Sequence, residues 1–428
     1  GGQVMEDLHQ KSGFNGDLLI HIQRKLSRDI GIEVNMGHNI FQIAHSQVYA
    51  QGDELLVPDI ENLSNATVLL VREKQSRYRS SAYFGELSLA WRDILIMNTG
   101  GRYEKPSSLS KGFFFPSVSA AFILTEIGGL KSNKTFPFGK IRVSYARTGN
   151  LPPAYIRYVP HIQGPYSEGW TTGVYYPYGE YNAYAGGDES SNYRLGPEYT
   201  NCTEAGADLR FISNRLSLDF TYYFSRSFDL LINVPVAGPS GYTDQWLNSA
   251  TVSNRGYEIL FHAVPVKSKN NKISWDLGLV FSQNRNRVES LAEGVESVLL
   301  SSIMGVEVRA ERGKPWGSIY GTSWQRDAEG RLVINDDPSD PDYGRPLPAA
   351  GKTFLGSVLP DWTMGISSGF EFSGLRLSVL FDIKKGGVRW NGTRGVMTAT
   401  GTHANTETGG RPWFLKVLPD TMMAADNW

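Results

Sequence analysis

Apolar and polar residues alternate with a period of two along much of this chain, and no other feature restricts its fold as strongly. Leu18, Ile20 and Ile22, and then Ile30, Ile32, Val34 and Met36, are separated by single, mostly polar residues. Such spacing places each set on one face of an extended strand. From Ala82 to Tyr103 the pattern is clearer: Tyr83, Leu87, Leu89 and Trp91 point one way, and Phe84, Glu86, Ser88 and Ala90 the other. Arg92-Asp93 supplies a tight turn, and Ile94 to Tyr103 returns. Further strands are expected at Pro116 to Thr125, Gly139 to Arg147, Thr203 to Phe211, Arg215 to Phe224, Ser253 to Val264, Lys272 to Asn284, Trp362 to Phe372 and Leu375 to Lys384. The total is about a dozen.

Strand length and connection length carry the next step. Several segments run close to ten residues, the length a tilted membrane strand needs, roughly 9–11. They are joined in pairs by very short turns such as Ile212-Ser213-Asn214, Ser373-Gly374 and Lys269-Asn270-Asn271. Between the pairs lie long stretches, Leu151 to Gly196, Leu291 to Ala310 and Asp327 to Leu359, expected to be irregular. Short turns at one end and long loops at the other are the asymmetry of outer-membrane barrels. Mean hydropathy is −0.30 and no run of 18 apolar residues occurs, which excludes a membrane-spanning helix. It leaves a strand-built span open, because only alternate residues then meet lipid. Tyr83, Trp91, Tyr103, Phe113 to Phe115, Tyr145, Tyr222, Tyr223, Trp275 and Trp362 sit near strand ends, where interfacial girdles of a barrel would lie; packing in a soluble sandwich core explains them as well.

The chemistry-bearing residues are sparse. A net charge of −1 and a pI near 6.7 give no basic surface for a nucleic acid. The single cysteine, Cys202, excludes an internal disulfide and is expected to be a buried, inert thiol. His9, His21, His38, His45, His161, His262 and His403 have no zinc-binding spacing, and no metal or cofactor is expected. The loop Asn335 to Asp342 contains Asp336, Asp337, Asp340 and Asp342; hard oxygen ligands suit calcium, but two prolines and a missing terminal Glu break the EF-hand pattern, and a solvated loop is the simpler reading. Gly186-Gly187-Asp188 and Gly128-Gly129 are turn material, and no nucleophile elbow or phosphate loop occurs. No catalytic residue is assigned. Candidate ligand contacts lie between Tyr166 and Tyr193, where Trp170, Tyr175, Tyr176, Tyr178, Tyr181 and Tyr184 crowd one segment. Flat rings with hydroxyls suit sugars or peptides; self-packing of a long loop is the alternative.

Seven short motifs in order resemble those of the SusC/RagA-type TonB-dependent transporters of the outer membrane. Tyr83-Phe84-Gly85-Glu86-Leu87 and Arg102-Tyr103-Glu104 precede Phe114-Phe115-Pro116-Ser117-Val118-Ser119, similar to that family's strand pair and the motif after it. Phe138-Gly139-Lys140-Ile141-Arg142-Val143-Ser144-Tyr145, running on to Gly149-Asn150, is the most specific match. Leu195-Gly196-Pro197-Glu198, Asn214-Arg215-Leu216 on to Tyr223, and Asn254-Arg255-Gly256-Tyr257-Glu258 follow. Gly313-Lys314-Pro315-Trp316-Gly317 and Gly386-Gly387-Val388-Arg389-Trp390-Asn391-Gly392-Thr393-Arg394 complete the series.

The resemblance implies an all-β fold, an antiparallel transmembrane β-barrel of about 22 strands when complete, with long extracellular loops. A dozen strands are then an incomplete barrel. Residues 1–428 are expected to form a single β-barrel region, with the N-terminal extension, the plug domain and the last barrel strands outside this sequence. The resemblance further implies the bacterial outer membrane and TonB-dependent import of a large nutrient, glycan or peptide, without enzymatic activity. The implied partners are a SusD-like surface lipoprotein, the TonB complex through the missing N-terminal region, the cargo and outer-membrane lipid. On the residues alone, a β-rich surface or secreted glycan-binding protein, or a carbohydrate-active enzyme, is the competing reading.

Overall fold

A computed structural model describes residues 2–130, 133–159, 161–162, 176, 178–268, 272–303 and 305–404. In chain order the strands are β1 Gln3–Lys25, β2 Ile30–Leu55, β3 Ala66–Trp91, β4 Leu95–Pro106, β5 Phe113–Ile123 and β6 Phe138–Asn150, then the two-residue β7 His161–Ile162, β8 Ala185–Gly186 and β9 Glu189–Ser190. They continue as β10 Glu198–Phe211, β11 Leu216–Pro235, β12 Asp244–Lys267, β13 Ile273–Ser290, β14 Ser297–Ile303, β15 Val306–Glu311, β16 Ser318–Gly321, β17 Thr353–Ser357, β18 Pro360–Phe372 and β19 Leu375–Gly386. A short helix, α1 Gly392–Ala399, follows. Among the described residues no helix is long and apolar enough to cross a membrane.

Contacts divide the chain into two compact units, Gly1–Val280 with Ile366–Leu380, and Phe281–Gly365 with Phe381–Trp428. In the first, strand order follows chain order, β1-β2-β3-β4-β5-β6-β10-β11-β12, ending with the portions of β13, β18 and β19 that fall within it. The long pairs are antiparallel. This is the arrangement hairpin-joined strands give when each pairs with the next. In the second unit β14, β15, β16 and β17 form an antiparallel four-stranded sheet.

Register shows what the alternation does. The rows Tyr83–Tyr103–Phe114, Leu89–Met97–Ala120 and Trp91–Leu95–Phe122 cross β3, β4 and β5 on one face, and Phe122–Ile141–Ala207–Phe220 extends the lowest of these levels across β6, β10 and β11. The opposite face carries Glu86–Gly100–Ser117, Ser88–Asn98–Ser119, and Arg142, Glu204 and Asp219. The apolar face is the uncovered one: Val143 is 51% exposed and Ile141 49%. A water-soluble sheet buries that face, and among the described residues nothing covers it as a soluble sandwich would require. Tyr83 and Trp91 lie eight residues apart on β3, about 27 Å along the strand. At the 35–45° tilt of barrel strands this corresponds to about 20 Å of rise, close to the roughly 25 Å apolar band of such walls.

Several expectations change. The strands are longer than alternation indicates; β3 pairs with β4 only from Ser80 onward, so 66–79 and its partner stretch of β2 extend beyond β4 by roughly 45 Å. Leu291 to Ala310 is not an irregular loop: it holds β14 and most of β15, and Asp327 to Leu359 holds β17. The β14 pattern was disguised by a β-bulge between Leu299 and Ser301, which puts two apolar residues in succession and breaks the period of two. Phe113, Phe115 and Tyr223 leave the expected girdle, because register with Glu104, Arg102 and Glu204 places them on the polar face. Cys202 is half-exposed, not buried, and its Sγ donates to Glu204 Oε1 at 3.6 Å.

Candidate functional site: the polar face and the loop ends

At the centre of the polar face, Arg142 of β6 reaches across β10 to β11. Its Nη1 donates to Asp219 Oδ2 at 3.0 Å and its Nη2 to Asp219 Oδ1 at 2.7 Å and Thr221 Oγ1 at 2.6 Å. The span exists because Gly206 stands between them, opposite Arg142 on one side and Thr221 on the other. A Cβ at 206 would lie 2.9 Å from Arg142 Nε and 2.8 Å from the Phe220 carbonyl oxygen. A second cluster joins β1, β2 and β4: Arg102 donates to Glu104 at 2.8 Å and to Asn39 at 3.3 Å, and Asn39 donates to Asn15 and Asp17 at 2.8 and 2.7 Å. An Arg210–Asp208 ion pair at 3.7 Å and a His262–Asp276 contact at 3.8 Å sit farther along the same face. The face is thus charged and hydrogen-bonded within itself, suited to meet water or a polar partner.

Other motif residues have mechanical roles. Glu198 accepts from the Leu231 N–H at 2.7 Å and from Asn150 Nδ2 at 2.8 Å. It thereby ties β6 to a bulge in β11 between Ser227 and Leu230, where Asp229 has φ 55°. Asn248 holds the same place from β12, donating to the carbonyls of Gly196 at 3.1 Å and Asp229 at 2.7 Å. Asn391 caps α1, its Oδ1 accepting from the Arg394 N–H at 2.9 Å; Asn is favoured there because its short side chain reaches the unpaired N–H groups.

Of the expected ligand contacts, Trp170 and Tyr175 lie outside the described residues. Tyr176 is half-buried, and Tyr178, Tyr181 and Tyr184 are exposed. Tyr178 and Tyr181 exchange two backbone hydrogen bonds, 2.8 and 3.1 Å, in a tight turn. The nearby Tyr193 packs edge-on to Tyr158 with ring centroids 5.7 Å apart. In the acidic loop, Asp337 accepts from the Ser339 N–H and hydroxyl at 2.9 and 2.6 Å, Asp340 from the Asp342 N–H at 2.8 Å, and Asp342 pairs with Arg345. Asp336 is exposed. The Ser339 hydrogen bonds hold the Asp337 carboxyl below its ordinary range. These side chains close turns, and no group of three or more His, Cys, Asp or Glu capable of holding a metal ion occurs among the described residues. One pairing was not legible in the sequence: His9 and His45, diagonal across β1 and β2, approach to 3.1 Å, with Asp7 3.2 Å from His9.

Residues 9–414 match the family model described as TonB dependent receptor-like, beta-barrel. TonB-dependent receptor P26 of Formosa agariphila is 24% identical over 421 aligned residues, covering 91% of this chain and 41% of that protein. TonB-dependent receptor SusC of Bacteroides thetaiotaomicron is 25% identical over 224 residues, 50% of this chain and 21% of that protein. In fold the chain is similar to the solved structure of the RagAB peptide transporter, with a TM-score of 0.71 at 19% identity, covering 89% of this chain and 42% of that one. The chain therefore spans about four-tenths of the length of the first of these relatives and of that solved chain. An exposed apolar face, a self-paired charged face and antiparallel order from strand to strand agree with that match, and the chain belongs to the TonB dependent receptor-like β-barrel family of the bacterial outer membrane.

Proposed function

We propose that the chain forms wall strands of an importer that admits a large nutrient, glycan or peptide, across the outer membrane. Passage is coupled to TonB through parts of the protein outside this sequence, and a SusD-like lipoprotein works at the loop end. The observation that carries this reading is the two-faced sheet: Ile141 and Val143 are exposed on one side, while Arg142, Asp219 and Thr221 are joined on the other. Such a wall suits lipid outside and a polar, plugged lumen inside. The relatives named SusC and RagAB support the partner and cargo assignment. Exposed Tyr178, Tyr181 and Tyr184 supply flat rings for cargo at the loop end.

Deletion of the gene in its native host tests the reading directly. Growth on one class of polymer, oligosaccharide or peptide, is expected to fail while growth on the corresponding monomers continues. Unchanged growth and uptake on both classes would refute it. Affinity purification from native membranes is expected to recover a surface lipoprotein in the same complex.

A further inference from the structure

The second unit contains a recess of about 390 Å³, within the range of small-ligand pockets. Its floor is one face of the four-stranded sheet. Ser301, Val308 and Ile319 stand in register across β14, β15 and β16, with Ile303 and Val306 forming the next row. The row continues to Gly356 of β17, opposite Ile319. That residue has φ 144° and no side chain, and Val388 takes the space, its Cγ2 only 2.4 Å from where a Cβ would be. Val388 is carried there by a strap. Gly386 and Gly387, both at positive φ, turn the chain back, and the Val388 N–H then donates to the Ser357 carbonyl at 2.8 Å. The strap continues into Arg389 and Trp390, which form the rim of the recess.

The lining chemistry is one-sided. Aliphatic side chains make up the floor, the half-exposed Trp390 indole adds a flat apolar wall, and Ser301 is the one hydroxyl among the lining residues. Among the described residues no acidic side chain lines the recess. Arg389 is exposed and makes no hydrogen bond or ion pair with any described residue, which leaves its five donors available to an anion. A sugar placed here would leave most of its hydroxyls without partners, at a cost for each. An aliphatic body gains by burial, and a carboxylate matches the fork of a guanidinium.

We propose that this recess binds a ligand with an aliphatic body and a terminal carboxylate, the body lying on the Val308–Ile319 row beside Trp390 and the carboxylate on Arg389. A peptide ending in a large aliphatic residue and a short fatty acid share this chemistry. The proposal names a ligand class for the import reading, yet it stands apart from it: absence of binding leaves import intact, and a failed growth test leaves the recess intact.

Calorimetry on the full-length protein in detergent provides the test, with N-acetyl-Leu-Leu, the same compound as its C-terminal amide, hexanoate and maltoheptaose as probes. The dipeptide acid is expected to bind, and its amide to bind at least about tenfold more weakly, the scale of a lost charge-assisted hydrogen bond. Arg389→Gln is expected to abolish that preference and Arg389→Lys to keep part of it. Ile303→Asn, at an exposed position of the floor, weakens both forms. A tighter dipeptide identifies a peptide source, and a tighter hexanoate a fatty acid. Equal binding of acid and amide overturns the proposal, as does undiminished binding by Arg389→Gln, binding of maltoheptaose in place of the acids, or no binding of either acid.

Discussion

At position 206 the absence of one methyl group determines how the polar face is wired. With a side chain there, the guanidinium of Arg142 could cross β10 to the Asp219 carboxylate only if it or the Phe220 carbonyl shifted. Gly206→Ala is expected to lower the unfolding midpoint in detergent by an amount equivalent to about 1–3 kcal/mol, the range for overpacking; an unchanged midpoint would show that Arg142 shifts freely. A second residue-scale case lies in the four-stranded sheet. Hydrogen bonds from Lys352, and next from Arg309, hold the Glu307 carboxyl below its ordinary range. A depressed folded value means that this contribution is complete above the unfolded carboxyl range, around pH 4–5, and is lost as pH falls through the folded value. Amide protection factors in β15 and β17 are therefore expected to hold from pH 7 to about pH 5 and to fall on further acidification. Glu307→Gln should show the lower protection already at pH 7 and little further change. A mutant as pH-sensitive as the wild type would assign the effect to other groups. Neither residue announces its role in the sequence: Gly206 reads as a weak strand position, and Glu307 as one of the polar residues alternating with Val306 and Val308.

At the scale of elements, alternation between Ile141 and Tyr145 was legible because each residue meets only one of two environments, and register keeps those environments apart. Val143 and Ser144 are adjacent yet face opposite ways, Ser144 standing opposite Glu204. Val143→Arg is expected to destabilise by about 2–4 kcal/mol in lipid, and Ser144→Arg by far less. Heat-modifiability on gels, or unfolding in urea with liposomes, distinguishes them; similar costs would contradict the face assignment. Alternation failed where a bulge interrupts it. In β14 the two apolar residues Leu299 and Leu300 follow each other at the register shift, so a real strand read as a loop. It also understated length: the part of β3 before Ser80 contains the run Val68-Leu69-Leu70-Val71, which has no period of two and reveals a strand only through its pairing with β2.

For the whole molecule, the exposed apolar face sets where the protein resides. Trp91 and Trp275 lie uncovered on it, Trp275 donating its indole N–H to Ser368 at 3.0 Å. Trp246, near the loop end of β12, instead donates to Glu189 at 3.3 Å. In single-tryptophan variants reconstituted with brominated lipid, fluorescence of Trp91 and Trp275 is expected to be quenched strongly and that of Trp246 weakly. The opposite order would place the bilayer elsewhere. By itself the sequence determined the all-β class, the strand faces, the short turns such as Ser373-Gly374 and the family motifs, because a period of two and the backbone demands of tight turns are local properties. Only the tertiary structure decided that Arg142 meets Asp219 across Gly206, that Glu198 secures a bulge in β11, and that Val388 fills the notch at Gly356 beneath Arg389 and Trp390. Those meetings depend on register between strands and on where a distant segment returns, and no spacing along a single chain encodes them.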